Sequence, residues 1–184
     1  GERSIGGVFP LVVFTNCDCV EIKVDGQSIG KFFPDRLQFP GVKYPPVVIR
    51  HAPGILGEWG SQWYDGEFIG YVNGKAAAVK KFIKNPVASK LEIKADHQLL
   101  DADGSDVTRV VFRIVDQVGN VVPYINDFIS IEVDGPGEVV GPKQVVLIGG
   151  CIAAWIKTKT KPGTIKVWAV SSRFVSEEIE IISQ

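Results

Sequence analysis

The sequence predicts an all-β fold built from two β-sandwich domains in tandem. The length of 184 residues suits two domains of about 90 to 100 residues, a size at which a β-sandwich encloses a core. Glycine and proline supply 20 and 11 residues, and they punctuate runs rich in valine, isoleucine and phenylalanine. Such punctuation is typical of many short strands joined by turns. Several of the runs also alternate apolar and polar side chains with a period of two, which favours half-buried strands.

The first half contains the clearest hairpin signal of the chain. Residues 20–24 alternate apolar and polar side chains, as a strand with one buried face does. Asp25 and Gly26 follow directly, and this pair favours a tight two-residue turn. We therefore predict a hairpin whose second strand includes Ile29.

Residues 75–84 are compatible with two structures. Three consecutive alanines and the helical spacing of the apolar residues after them would suit a short helix. The segment also follows the turn-forming pair Asn73 and Gly74 and runs into Asn85 and Pro86. We predict a strand, because a hairpin turn before the segment and a proline after it are typical of the last strand before a domain boundary.

The second half repeats the order of strand, turn and strand. Further strand-like segments lie at residues 91–95, 110–115, 129–133 and 179–181. The corners between them contain glycine, asparagine and proline, which adopt the backbone angles that turns require. We place the domain boundary near residues 86–89, which gives domains at 1–87 and 88–184. Trp155 and Trp168 lie inside apolar runs, and we expect both of them in the core.

Composition and charge exclude several classes of function. With 45% hydrophobic residues, 22% charged residues and a net charge of -1, the chain lacks the basic surface of a nucleic-acid-binding protein. No apolar run approaches the roughly 20 residues of a membrane span. Residues 1–7 lack the pattern of a signal peptide, and the chain contains no methionine before its first apolar run, at residues 8–14. We interpret it as a piece of a longer protein.

The three cysteines do not predict a disulfide framework or a metal site. Cys17, Cys19 and Cys151 are odd in number and lack the close pairs that a zinc site uses. Cys17 and Cys19 would point to the same side of a strand, about 7 Å apart, which disfavours a bond between them. We predict buried or half-buried thiols, and thiols slightly favour the cytoplasm over export.

The acidic residues and histidines do not indicate a catalytic site. A glycosidase needs two carboxyl groups about 5 to 10 Å apart across a cleft, whereas the acidic residues here fall in turns or alternate outward on strands. Asp101, Asp103 and Asp106 suggest a calcium site, but their spacing differs from that of an EF-hand loop, and we favour a turn. His51 and His97 match no metal or nucleophile motif. We predict no catalytic, metal-binding or cofactor-binding residue, and no cofactor.

One aromatic cluster has the composition of a contact surface. Aromatic faces stack on sugar rings, while neighbouring amide and carboxylate groups hydrogen-bond to hydroxyls. The same side chains would also suit packing against a neighbouring domain, which is the interpretation we favour. The predicted sugar or docking contacts are Trp59, Gln62, Trp63, Tyr64 and Asp65.

Two series of short motifs run through the chain. The first series is TNCD at 15–18, VEI at 20–22, DG at 25–26, SIG at 28–30 and YVNGK at 71–75. The second series is AD at 95–96, ADGSD at 102–106, VD at 115–116, GNVVP at 119–123 and GPG at 135–137. Both series, in this order, resemble the two successive C-terminal domains of family 2 β-galactosidases. The aromatic stretch at residues 55–67 departs from that pattern by being longer.

The resemblance implies two tandem immunoglobulin-like β-sandwich domains from the C-terminal part of a bacterial glycoside hydrolase. The catalytic glutamates of that family belong to a barrel, and no motif of that barrel occurs here, so the expected role is structural or domain docking. The expected partners are the catalytic and other domains of the same chain, in a parent that could be oligomeric. The alternative is a carbohydrate-binding or adhesin-type tandem module, with carbohydrate as its partner. We expect no nucleic-acid partner and no membrane span.

Overall fold

The regular secondary structure of the described residues consists of β-strands. The structure is a computed structural model that describes residues 10–50 and 64–184, and these two ranges contain fifteen strands and no helix. The all-β prediction is therefore confirmed. The chain divides into two compact units, Gly1–Pro86 and Val87–Gln184.

The described residues of the first unit form one sheet of four strands and one of two. Its strands are β1 (Leu11–Val13), β2 (Cys19–Val24), β3 (Gln27–Phe32), β4 (Val47–Ile49), β5 (Gly66–Val72) and β6 (Lys75–Phe82). The larger sheet has the order β3-β2-β5-β6, and β1 pairs with β4 in the smaller sheet. All of these pairs are antiparallel.

Two hairpins build the four-stranded sheet. Asp25 and Gly26 join β2 to β3 with φ angles of 45° and 81°, and Asn73 and Gly74 join β5 to β6 with φ angles of 50° and 76°. Positive φ at both central residues is the geometry that matches the right-handed twist of paired strands. The predicted hairpin after residue 24 is confirmed, and residues 75–84 contain the strand β6 rather than a helix.

The two sheets of the first unit enclose a small apolar core. Alternate side chains of β1 and β4 point towards the larger sheet, and those of β2 and β5 point back. The buried members of the core are Val20, Ile22, Val47, Ile49 and Phe68. Phe68 meets Phe82 edge to face, with ring centroids 5.8 Å apart, an arrangement that aromatic pairs prefer.

The second unit is a sandwich of nine strands. They are β7 (Lys90–Ala95), β8 (Leu99–Leu100), β9 (Val107–Val115), β10 (Phe128–Asp134), β11 (Gly137–Val140), β12 (Gln144–Val146), β13 (Cys151–Thr158), β14 (Gly163–Ser171) and β15 (Ile179–Ser183). One sheet has the order β12-β10-β14-β15-β8 and the other the order β11-β13-β9-β7. The short pair of β15 with β8 is parallel.

A larger core fills the second unit. Phe112 on β9 is completely buried, and Ile131 on β10 and Ile165 on β14 reach the same core from the opposite sheet. From Val107 to Ile114 the inward residues of β9 alternate with outward ones, so this part of the strand has one buried face. Cores of this kind supply most of the favourable free energy of folding.

Trp155 and Trp168 are not core residues, contrary to the prediction. On β13 the buried residues Ala154 and Ile156 point inward, and Trp155 between them points outward with 50% of its surface exposed. Trp168 is half-buried on the outward face of β14, between two buried neighbours. The prediction failed because it followed the apolar composition of the two runs and not their period of two, which places Trp155 on the face of Lys157 and Trp168 on the face of Lys166.

The turn between β10 and β11 explains one of the sequence motifs. Gly135 has a φ of +91°, and a Cβ on this residue would lie 2.2 Å from the carbonyl oxygen of Thr164. Both the backbone angle and the backbone contact therefore require glycine. Gly119 has a similar φ of +83°, but a Cβ there would meet nothing within 4 Å.

We expect Gly135→Ala to destabilise the chain more than Gly119→Ala. Both substitutions place alanine in the left-handed region, which costs about 1–2 kcal/mol. Only Gly135→Ala also forces the backbone of β14 to move, which adds about 1–3 kcal/mol, as overpacking does. Urea unfolding of the two variants measures the difference, and equal midpoints would contradict the close contact.

Candidate functional site

The predicted aromatic cluster falls only partly within the described residues. Trp59, Gln62 and Trp63 lie outside them, so their sugar or docking contacts stay a prediction. Tyr64 is half-buried, and Asp65 is exposed at the start of β5.

Asp65 connects two turns of the first unit. Its Oδ1 accepts a hydrogen bond from the backbone N–H of Lys84 at 2.8 Å. Its backbone N–H donates to Oδ1 of Asp25 at 3.0 Å, and its carbonyl oxygen accepts from the N–H of Asp25 at 2.9 Å. These bonds tie the β2–β3 turn and the end of β6 to the start of β5, so one Asp65 oxygen is used structurally.

The loop of clustered aspartates is a turn stabilised by its own carboxylates. Asp103 accepts hydrogen bonds from the N–H and the hydroxyl of Ser105, both at 2.7 Å, and from the N–H of Asp106 at 2.9 Å. The hydrogen bond from the Ser105 N–H is the largest cause of a lowered pKa at Asp103. Asp106 in turn accepts from the N–H of Asp101 at 2.8 Å. Within residues 10–50 and 64–184, no group of three or more His, Cys, Asp or Glu side chains could hold a metal ion.

The cysteines and histidines that the sequence analysis considered do not form a described site. Cys17 and Cys19 are buried and Cys151 is half-buried, as the sequence predicted. The backbone N–H of His97 donates to Oγ1 of Thr108 at 3.0 Å, and His51 lies outside the described residues. Among the described residues, no helix is long and apolar enough to cross a membrane.

A small polar cluster covers the outward face of the four-stranded sheet. The hydroxyl of Tyr71 donates to Oε2 of Glu21 at 2.6 Å, and Nζ of Lys31 lies 4.5 Å from the centroid of the Tyr71 ring. The Tyr71 hydroxyl is the largest cause of a lowered pKa at Glu21, and the same bond raises the pKa of Tyr71. A carboxylate with a lowered pKa is a poor proton donor at neutral pH, so Glu21 does not resemble a glycosidase acid.

An apolar groove lies on the outward side of the β1–β4 sheet. Its volume is about 470 Å³. The residues that line it are Pro10, Val12, Phe14, Gln38, Phe39, Val42, Tyr44, Pro46, Val48 and Arg50. Phe14 is the most exposed of them among the large apolar side chains, at 85%. The sequence did not reveal this groove, because residues 33–46 form a loop without a periodic pattern.

A second exposed surface lies on the outward face of the β11-β13-β9-β7 sheet. Trp155 is paired across the sheet with Arg109 on one side and with Val140, 49% exposed, on the other. The guanidinium of Arg109 binds Asp96 through two hydrogen bonds, at 2.8 and 3.3 Å. This bond raises the pKa of Arg109. The period of two in β13 indicates this surface, because it places Trp155 on the outward face together with Lys157.

Two family descriptions match the chain, one for each unit. Residues 91–180 match the family described as glycoside hydrolase family 2 C-terminal domain 5. Residues 6–78 match a domain of unknown function, DUF4982. The matched ranges leave residues 79–90 between them.

Several relatives of the chain are described as β-galactosidases. The chain is 41% identical over 154 residues to a β-galactosidase of Thermoanaerobacterium thermosulfurigenes, covering 82% of this chain and 22% of the relative. It is 33% identical over 124 residues to a β-galactosidase of Rhizobium radiobacter, covering 67% of this chain and 90% of the relative. A β-glycosidase of Bacteroides vulgatus has the same fold, with a TM-score of 0.68 at 18% identity, over 99% of this chain and 23% of that structure.

The fold and these matches define the class of this region, which is all-β and similar to the C-terminal part of family 2 glycoside hydrolases. The chain belongs to glycoside hydrolase family 2 and corresponds to the C-terminal part of its members. It spans about a fifth of the length of relatives that it matches at 41% and 43% identity. The family membership that the motifs suggested is thereby confirmed.

We expect Tyr71→Phe to raise the pKa of Glu21, because the substitution removes the hydroxyl and keeps the ring. Because the pKa of Glu21 is lower in the folded chain, its ionised form stabilises the fold at any pH above the ordinary pKa of glutamate, about 4.3. This contribution is lost as the pH falls through the lowered pKa. The variant should therefore lose stability near neutral pH and match the original chain in acid. NMR titration of the Glu21 carboxyl measures the pKa. Tyr44→Phe is the control, and an equal pKa in both variants would contradict the contact.

Proposed function

We propose that this region is a non-catalytic structural part of a family 2 enzyme that hydrolyses β-galactosides, and that it stabilises the rest of that polypeptide by packing on it. The observation that carries the proposal is the match at 41% identity over 82% of this chain to a β-galactosidase of which it covers only 22%. Most of the relative's length therefore lies outside the match, and that part is long enough to contain a separate catalytic domain. The chain's own carboxylates at Glu21, Asp65 and Asp103 support this role, because each is engaged in a structural hydrogen bond.

We also propose that residues 1–87 and 88–184 are two separate domains. The division of the chain after Pro86 supports this boundary, as do the separate family matches on either side of it. Each unit has its own apolar core, which is what an independently folding domain requires.

The test of the structural role compares the full-length enzyme with a version that lacks this region. We expect the full-length enzyme to hydrolyse a chromogenic β-galactoside and to ignore the matching β-glucuronide. Loss of the region should shorten the half-life of activity at elevated temperature by about tenfold, which corresponds to about 1.4 kcal/mol of activation free energy. The 184-residue chain alone should hydrolyse neither substrate.

Two results would contradict the proposal. One is an equal half-life with and without the region, and the other is hydrolysis by the chain alone. If the shortened enzyme is insoluble, co-expression of the two pieces as separate chains provides the comparison.

A second candidate function is carbohydrate binding, and the outward face around Trp155 favours it. A flat, half-exposed indole can stack on a pyranose ring, and an arginine held by a carboxylate presents fixed hydrogen-bond donors beside it. Trp155, Arg109 and Asp96 have these properties. The predicted contacts of Trp59 and Trp63 would form a separate sugar site.

Tryptophan fluorescence separates these sites. We expect titration of the 184-residue chain with galacto-oligosaccharides to give a saturable change that Trp155→Ala abolishes and Trp168→Ala retains. Loss of the change in Trp63→Ala instead would assign binding to the aromatic cluster. Constant fluorescence up to millimolar sugar would contradict a carbohydrate-binding role and leave the structural role.

A further inference from the structure

The two-stranded sheet of the first unit is apolar on both of its faces. Leu11, Val13 and the β4 residues paired with them point into the core. Val12 and Val48 are paired on the opposite face, and Val12 is 40% exposed. The outward face of a sandwich sheet normally carries polar side chains, because it meets water. An apolar outward face on so small a sheet indicates that a further layer covers it.

The loop after β3 extends this apolar face into the groove described above. Phe39, Val42 and Tyr44 form one wall of the groove, and Phe14 stands at the end of β1. Val42 is 47% exposed and Tyr44 is 54% exposed. Exposed apolar side chains gathered into one concave surface are typical of a protein contact rather than of a solvated surface.

The polar groups at the rim of the groove already bind one another. Nη1 of Arg50 donates to Oδ2 of Asp35 at 3.3 Å, and Nη2 of Arg50 donates to the side-chain oxygen of Gln38. Oδ1 of Asp35 accepts from the backbone N–H of Gln38 at 3.0 Å. Nζ of Lys43 lies 5.1 Å from the centroid of the Tyr44 ring, over the face that a sugar would use. A sugar would have to break these contacts to form its own hydrogen bonds, whereas an apolar protein surface would leave them intact.

The position of the groove in the chain identifies what covers it. Pro10 lines the groove and is the residue through which the polypeptide enters β1. The relatives at 41% and 43% identity are much longer than the matched region, and any preceding part of the polypeptide reaches β1 through Pro10. A tether beside the contact makes docking intramolecular, and this raises the effective concentration of the partner surface.

We propose that the groove on the outward face of β1 and β4 is the surface through which this region docks onto the preceding part of its own polypeptide. The partner surface is an apolar ridge of that preceding part, and Phe14 is the central contact. This assignment rests on the structural role proposed above, to which it adds the location and the chemistry of the contact.

Footprinting with hydroxyl radicals tests whether the groove is covered. We compare the oxidation of Phe14 and Tyr44 in the 184-residue chain and in the full-length enzyme, by mass spectrometry. Both side chains should be oxidised severalfold more slowly in the full-length enzyme, while Phe33, which is 67% exposed and does not line the groove, should react equally in both. Equal oxidation of Phe14 in both proteins would overturn the proposal. So would protection already present in a monomeric 184-residue chain.

Substitution of Phe14 tests whether docking at the groove stabilises the full-length enzyme. In the full-length enzyme, Phe14→Asp should shorten the half-life at elevated temperature severalfold, and Phe33→Asp should leave it unchanged. If removal of the whole region shortens the half-life but Phe14→Asp behaves as Phe33→Asp, the groove is not the docking surface and the structural role stands. If neither removal nor Phe14→Asp changes the half-life, both proposals fail.

Two other occupants would be recognised in the same experiments. A dimer of the 184-residue chain that light scattering detects and that Phe14→Asp dissociates would assign the groove to a second copy and overturn the proposal. Protection of Phe14 by galacto-oligosaccharides in the isolated chain would assign it to sugar, with the same consequence.

Discussion

Every β-sheet has two faces, and a sheet that packs against one other layer buries only one of them. The second unit satisfies this constraint within itself. Inward side chains such as Phe112 and Ile165 meet between two sheets, and the outward positions carry ion pairs such as that of Arg109 with Asp96, at 2.8 Å. The central apolar side chains of this sandwich are enclosed between its sheets, while Trp155 and Val140 stay half-exposed on an outward face.

The first unit satisfies the same constraint less completely. Its smaller sheet consists of two strands of three residues each, β1 and β4, and an isolated pair of strands is only marginally stable in water. The core on its inward side holds the pair in place, but the outward residues Val12 and Val48 extend into an open apolar groove. The first unit therefore presents an apolar groove, which the docking proposal assigns to a partner surface.

The sequence predicts the strands and turns better than it predicts the surfaces. Turn residues such as Asp25 and Asn73 act locally, since their preference for positive φ is a property of a few consecutive atoms, and they appear where the sequence places them. The face of a side chain in a mostly apolar strand follows from the period of two instead. Trp155 shares the outward face of Lys157, but its apolar neighbours Ala154 and Ile156 led to the wrong prediction that it is buried. The groove was beyond prediction altogether, because it joins a strand to a loop whose path follows from tertiary contacts.

The pattern of satisfied groups explains where the function of this region lies. Asp103 and Asp116 bind backbone N–H groups of their own turns, and Asp65 binds the backbone N–H of Lys84 after β6. Arg50 at the groove rim binds Asp35, so these charged groups stabilise the fold. The other exposed side chains that line the first unit's groove are apolar. Burial against another surface lowers the free energy of such side chains, and they offer no group for catalysis. A region with that balance acts through contact area. Under the docking role proposed above, such contact would couple the stability of this region to that of the rest of the polypeptide, so that each would gain from the folding of the other.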